Sequence, residues 1–420
     1  MPSGREPAAP QLSAWRFITT FGTISLLADF VYEGARSITG PLLASLGATA
    51  LVVGVVTGVG EAAALALRLV SGPLTDRTQR FWAWTIAGYT LTIVTVPFLG
   101  IAGTLWAAGA LVITERIGKA VRSPAKDTLL SHATAVTGRG RGFAVHEAMD
   151  QIGAVVGPVT VAGVLAATGD DYAPALGVLA IPGVAALALL VWLLLRVPEP
   201  AGYETARPHA TPSVTDAGHD ARGPGRAPLP AAFWAYCAFT ATTMIGFSTF
   251  GVLSFHMVTD GILSAAAVPL VYAAAMGADA VAALASGWAY DRIGPKTLAA
   301  LPIISALIPI FAFGGHVPSV VIGALLWGAA VGIQESTLRA VVADLVPSPR
   351  RATAYGVFAA GLGAATAAGG AVTGWLYEEL PGALLAFVAV VQTSAVAVAL
   401  GMAFLRRRAE RSPGTQRTPG

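Results

Sequence analysis

Apolar residues run through this chain in long blocks separated by short polar breaks. The blocks fall at about 14–43, 48–70, 82–103, 105–123, 141–167 and 174–196, and then at about 231–258, 264–288, 296–314, 318–342, 353–377 and 383–405. Roughly 20 apolar residues cross about 30 Å of hydrocarbon as a helix, so the pattern predicts twelve membrane-spanning helices. Between the sixth and seventh blocks the pattern stops. Residues 198–229 are rich in Pro, Gly, Ala and charge and read as a flexible linker. The chain thus divides into an amino-terminal bundle (14–196), a linker (197–229) and a carboxy-terminal bundle (230–408). The expected fold is an all-α membrane protein of two pseudo-symmetric six-helix bundles.

Composition supports a membrane solvent. The chain is 55% hydrophobic and 12% charged, where a soluble domain is about 25% charged. Its 48 glycines suit close helix packing. Cys237 is the single cysteine, which leaves no intrachain disulfide and no thiolate metal cluster. Residues 1–13 are polar and lack the apolar core of a signal peptide.

Basic residues alternate between breaks, which makes them topology signals rather than a nucleic-acid surface. Arg77 and Arg80, Arg139 and Arg141, the linker arginines, Arg292 and Lys296, and Arg350 and Arg351 occupy one set. The other set (46–50, 100–104, 169–171, 260–261, 315–316 and 378–379) contains neither Lys nor Arg. The positive-inside rule assigns the first set, the linker and both termini to the cytoplasm of a multi-pass inner (plasma) membrane protein.

A repeat joins the halves. Ser71-Gly72-Pro73-Leu74-Thr75-Asp76-Arg77 and Ser286-Gly287-Trp288-Ala289-Tyr290-Asp291-Arg292 share Ser-Gly-x-x-x-Asp-Arg, with the two aspartates 215 positions apart. Gly72-Pro73 reads as a helix break. Arg122 and Asp127 recur as Arg339 and Asp344, shifted by 217. This signature resembles the loop between the second and third helices of each half of major facilitator superfamily transporters. The resemblance implies gating loops at Gly72, Asp76 and Arg77 and at Gly287, Asp291 and Arg292. The first would close against the eleventh helix and the second against the fifth.

Charges inside the spans are candidate site residues, because each costs at least about 2.5 kcal/mol in hydrocarbon. Asp29, Glu33 and Arg36 share a helix face at i, i+4, i+7, as do Glu115, Lys119 and Arg122. Glu61 lies mid-span on the second block, and Glu335 with Arg339 lies at i, i+4 on the tenth. Asp279 and His256 are further intramembrane polar residues of the second half. Arg122 is expected to pair with Asp127 or with a carboxylate of a neighbouring helix. The run 115–127, with Gly142-Phe143 to Asp150, resembles a bacterial subgroup of the same superfamily.

On the fifth span His146, Asp150, Gly153 and Gly157-Pro158 share a face. Gly-x-x-x-Gly-Pro here is similar to the fifth-helix motif of drug–proton antiporters, although Gly163 follows where Gly-Gly is usual. The glycines equally suit simple packing. The aromatics crowding the seventh span, Phe233 to Phe255, read as core or lipid-facing.

No P-loop and no His-Glu-x-x-His occurs, and no cofactor is called for. The reading is a non-enzymatic secondary transporter, a monomer exporting a small molecule against protons. Asp29, Glu33, Glu61 and Asp150 are its candidate proton carriers. Metal or metal-chelate export through Asp29, Glu33, Glu61 and His146, uptake, and a non-transporting sensor or scaffold are the alternatives.

Overall fold

The structure, a computed structural model, describes residues 12–205, 229–346 and 351–411. Every regular element among them is helical. We label the long helices α1 (Ala14–Ser45), α2 (Ala50–Thr78), α3 (Phe81–Gly100), α4 (Leu105–Thr137), α5 (Arg139–Thr168) and α6 (Tyr172–Arg196). The second half supplies α7 (Ala231–Thr259), α8 (Val268–Ile293), α9 (Ala300–Ala312), α10 (Val317–Leu345), α11 (Arg351–Glu379) and α12 (Pro381–Arg411). Of the linker, 206–228 lies outside the described residues.

Nine segments among the described residues are long and apolar enough to cross a membrane. One of them, Val268–Ala312, takes in both α8 and α9. The helices missing from the nine, α1 and α4, are the two that carry the i, i+4, i+7 charge rows.

Local chemistry sets the ends. Ser13, Thr49 and Thr104 cap α1, α2 and α4 through their hydroxyls. Gln79, at φ 53°, turns the chain out of α2. Two sequence-based boundaries are corrected. Gly72-Pro73 does not break the helix; α2 is interrupted only at Leu67 and continues as Arg68–Thr78 with Pro73 inside. Likewise α4 runs through Pro124 to Thr137 instead of ending near 123. Helix bundles supply new partners for the carbonyl that a proline orphans, so such prolines bend helices without ending them.

The buried core follows the halves. One cluster centres on Phe239, Phe250, Tyr272 and Trp327 of the second half. Two others, around Ile38 and Val53 and around Phe17 and Trp82, belong to the first. The halves meet chiefly where α2 packs on α11, and also where α5 packs on α8 and α1 on α7. At the α2–α11 contact a Cβ on Gly54 would strike the carbonyl oxygen of Gly370, so backbones touch there. Gly153 and Gly157 do the same within the first half, facing the carbonyls of Leu26 and Phe30 on α1.

One end of the interface is tied shut. The Asp170 carboxylate accepts from Ala266 N at 3.0 Å, and the Glu378 carboxylate accepts from Leu51 N at 3.4 Å. Each carboxylate lies at the end of the fifth helix of its half, Asp170 just past α5 and Glu378 in the last turn of α11, and each amide sits at a helix start in the other half. Just inside, Thr57 and Thr249 hydroxyls lie 2.8 Å apart.

Candidate functional site

Between the halves lies a cavity of about 570 Å³. It is walled by α1, α2 and α4 on one side and by α7, α10 and α11 on the other. Its lining begins at Thr39, Thr57 and Thr249, under the closed end, and reaches Arg68, Gly72 and Asp76 at the opposite end.

α1 is buried along most of its length, so its charged face points at other helices and the cavity. Arg36 lies 2.9 Å from Glu61 Oε1 and 3.6 Å from Glu33. Arg116 reaches the same Glu61 oxygen at 3.2 Å and brings its Nε within 3.4 Å of Glu115. Tyr272, from the second half, donates a hydrogen bond to Glu33. Aromatic faces hold the cations: Arg116 and Lys119 lie 4.5 and 4.0 Å from the Tyr32 ring centre, and Arg36 lies 5.7 Å from that of Trp327. The Trp327 indole N–H is fixed on Ser248 O at 3.1 Å.

A second network lies inside the first half and does not line the cavity. Arg122 donates to Thr92 Oγ1 at 2.9 Å, sits 3.8 Å from Asp29 and stacks 4.7 Å from the Tyr89 ring centre. Lys126 is 3.6 Å from Asp150 and 3.0 Å from His146 Nε2. That nitrogen also lies 3.5 Å from Asp150 and 3.3 Å from Ser25 Oγ, which in turn meets Tyr89 OH at 3.1 Å. An ammonium can only donate, so Nε2 is the acceptor of the Lys126 bond and the ring carries its proton on Nδ1. The candidate carboxylates are thus divided: Glu33 and Glu61 belong to the cavity network, Asp29 and Asp150 to the inner one.

A sequence description of the Major Facilitator Superfamily matches residues 24–277 and 241–420. The chain is 70% identical, over 387 residues, to an uncharacterized protein of Mycobacterium tuberculosis, covering 92% of this chain and 93% of that one. An uncharacterized MFS-type transporter of Methanocaldococcus jannaschii is 28% identical over 136 residues, 32% of this chain and 34% of the relative. The solved nucleoside transporter NupG superposes with a TM-score of 0.65 at 14% identity, over 92% of this chain and 98% of that one. For the peptide transporter POT in complex with sulfate the TM-score is 0.69 at 16% identity, over 96% and 97%. The chain belongs to the Major Facilitator Superfamily. It is a membrane transporter and not an enzyme.

Within this superfamily member the remaining candidates fall apart in space. Glu335 is exposed to the cavity, whereas the side chain of Arg339 lies outside the described residues. Asp279 is buried on α8 where Gly332 of α10 leaves room for it. His256 bonds Tyr377 OH at 2.9 Å and Gly314 O at 3.2 Å and does not line the cavity. Asp76 stands exposed at the cavity mouth and makes no ion pair among the described residues. Arg77, Asp291 and Arg292 are also exposed, with Arg292 lying 3.5 Å from the Trp288 ring centre. Gly72 and Gly287 face open space, and Pro158 sits inside α5.

Asp29, Glu33, Glu61 and His146 do not converge, and no group of three metal-ligating side chains occurs among the described residues. On α7, Phe233 and Phe239 are core as expected, but Phe247 and Phe250 line the cavity. Sequence reasoning passed over Tyr32, Tyr89, Lys126, Tyr272 and Trp327. The i, i+4 rule that singled out Arg36 also reaches Tyr32; the other aromatics carry no signal beyond an aromatic ring in an apolar helix.

Proposed function

We propose that this transporter exports a small organic molecule in exchange for protons by alternating access, as a monomer in the plasma membrane. Its halves, 14–196 and 230–408, rock about the central cavity while the 197–229 linker and both termini stay in the cytoplasm. The observation that carries the reading is the buried charge of α1, α2, α4 and α5. Asp29, Glu33, Glu61, Glu115 and Asp150 are interleaved there with Arg36, Arg116, Lys119, Arg122 and Lys126. A scaffold has little physical reason to keep so many intramembrane charges. A carrier uses them, because adding a proton to one carboxylate frees the cation it held.

The open end fits loading from the cytoplasm. Loop charge assigns the Asp76 end to the cytoplasm, and the cavity lining reaches that end while Asp170, Glu378 and the Gly54–Gly370 contact close the other. A cargo loading from the cytoplasm meets the cavity first. Protons travel through the adjoining Asp29–Arg122 and Lys126–His146–Asp150 groups, so cargo and proton use neighbouring but separate sites.

The test is paired flux in liposomes, using a cargo found by screening a deletion strain against a compound panel. Asp29→Asn, Glu33→Gln and Asp150→Asn are assayed for gradient-driven transport and for counterflow. A neutral residue cannot cycle a proton, so at least one variant is expected to lose driven transport and keep exchange. Driven transport retained by all three would refute proton coupling through these groups.

A further inference from the structure

The cavity's chemistry narrows its cargo, on the reading that the cavity is the transport site. Of the cations in its wall, Arg68 lies towards the Asp76 end, and Arg36 and Arg116 share Glu61. Lys119 is different. Its ammonium rests 4.0 Å from the Tyr32 ring centre and forms neither an ion pair nor a hydrogen bond among the described residues. A ring face attracts a cation but accepts no full hydrogen bond from it, so all three N–H groups remain available.

Two further side chains of the lining carry donors without a hydrogen bond. Arg116, 4% exposed, sits at ion-pair distance from Glu61 and Glu115, yet neither its Nε nor its Nη1 makes a hydrogen bond. Gln334 Nε2, on the opposite wall, is buried without a partner. A buried donor without an acceptor is costly, and an anionic oxygen of a guest would supply one. Glu61 lines the cavity between Arg36 and Arg116, whereas Glu33 and Glu115 do not line it.

Much of the remaining lining is apolar or aromatic. Phe247, Phe250, Trp327, Phe358 and Met244 offer flat surface close to these donors. A volume of about 570 Å³ lies within the range of pockets for drug-sized ligands, about 300–1,000 Å³. Glu335, exposed to the same space, disfavours a second negative charge on the guest.

We propose that the cavity binds an organic monoanion with an aromatic or apolar body. Its carboxylate takes the free N–H groups of Lys119, with Arg116 and Gln334 as further donors, and its body lies on Trp327 and the phenylalanines. The amine of Lys119 is the specificity-determining group: it separates acids from amines and neutral compounds of the same shape.

Equilibrium dialysis of the purified full-length protein tests this without any gradient, using 1-naphthoate, the cationic 1-naphthylmethylamine and the neutral 1-naphthamide as probes. Naphthoate is expected to bind about tenfold or more tighter than the other two, the scale of one charge-assisted hydrogen bond. Lys119→Gln should lose that preference and Lys119→Arg should keep it. Gln334→Leu, which leaves every charge in place, should weaken naphthoate by a smaller factor and serves if Lys119→Gln does not fold. Tighter binding of the amine or amide, unchanged naphthoate affinity in Lys119→Gln or Gln334→Leu, or no binding of naphthoate overturns the proposal. Counterflow with the bound probes then separates the two readings. Naphthoate that binds but does not exchange counts against transport through the cavity and leaves the ligand class standing. Exchange of the amine without naphthoate binding does the reverse.

Discussion

Arg122 shows at the scale of one residue what the buried network contributes. It is 4% exposed, and its guanidinium meets Thr92, Asp29 and the Tyr89 face together. Removing it strands Asp29 inside the bundle, a change worth about 3–5 kcal/mol for a buried pair. Detergent-solubilised Arg122→Ala is therefore expected to melt well below the wild type, and Arg122→Leu combined with Asp29→Leu to recover part of the loss. A single variant that melts with the wild type contradicts a buried pair.

The pairing itself was only half legible. Five residues along a helix turn about 140° past the starting face at 3.6 residues per turn. Asp127 therefore points outward, where it is exposed, and Arg122 finds Asp29 on α1 instead. Intrahelical spacing identifies which charges share a face. Which helix that face meets depends on packing, through contacts such as Gly153 and Gly157 on α1, and one sequence does not state it. The cavity aromatics were hidden for a related reason: Trp327 and Tyr272 look like any ring in an apolar span until a cation or carboxylate is placed beside them.

At the scale of elements, helix existence was written in hydropathy, and helix ends were written less well. Gly72-Pro73 read as a stop because a lone helix loses a hydrogen bond there, and the fourth block read as ending near 123, but the packed bundle carries both Pro73 and Pro124 inside helices. The helix starts hold a device that no motif announced. Asp170 caps the start of α8 and Glu378 the start of α2, and the two capped amides, Leu51 and Ala266, are 215 positions apart, the same interval as Asp76 and Asp291. Both bonds cross between halves, so both must break for this end to open.

Asp170→Ala with Glu378→Ala is expected to favour the outward-open state. Two exposed hydrogen bonds contribute about 1 kcal/mol, roughly fivefold in population. The readout is labelling of Thr57→Cys, in a Cys237→Ser background, by a membrane-impermeant maleimide applied from outside. A labelling rate equal to that of the parent would mean that the caps do not hold the interface.

At the scale of the whole molecule, the proposed mechanism has protonation of buried carboxylates drive one end open as the other closes. The packing clusters fall largely within one half or the other, and the halves meet along α2–α11, α5–α8 and α1–α7, an arrangement suited to rigid-body rocking. Spin-label distances in lipid nanodiscs test the claim without a known cargo. One pair, Gly103→Cys with Gly315→Cys, reports the closed end at glycines that face open space. The other, Arg80→Cys with Lys296→Cys, reports the Asp76 end at exposed loop positions. All four substitutions are made in a Cys237→Ser background. Between alkaline and acidic buffer the two distance distributions are expected to move in opposite directions, and Asp29→Asn with Asp150→Asn should abolish the response. Distributions that stay fixed across pH in the parent, or that respond equally in the doubly neutralised variant, would contradict the account.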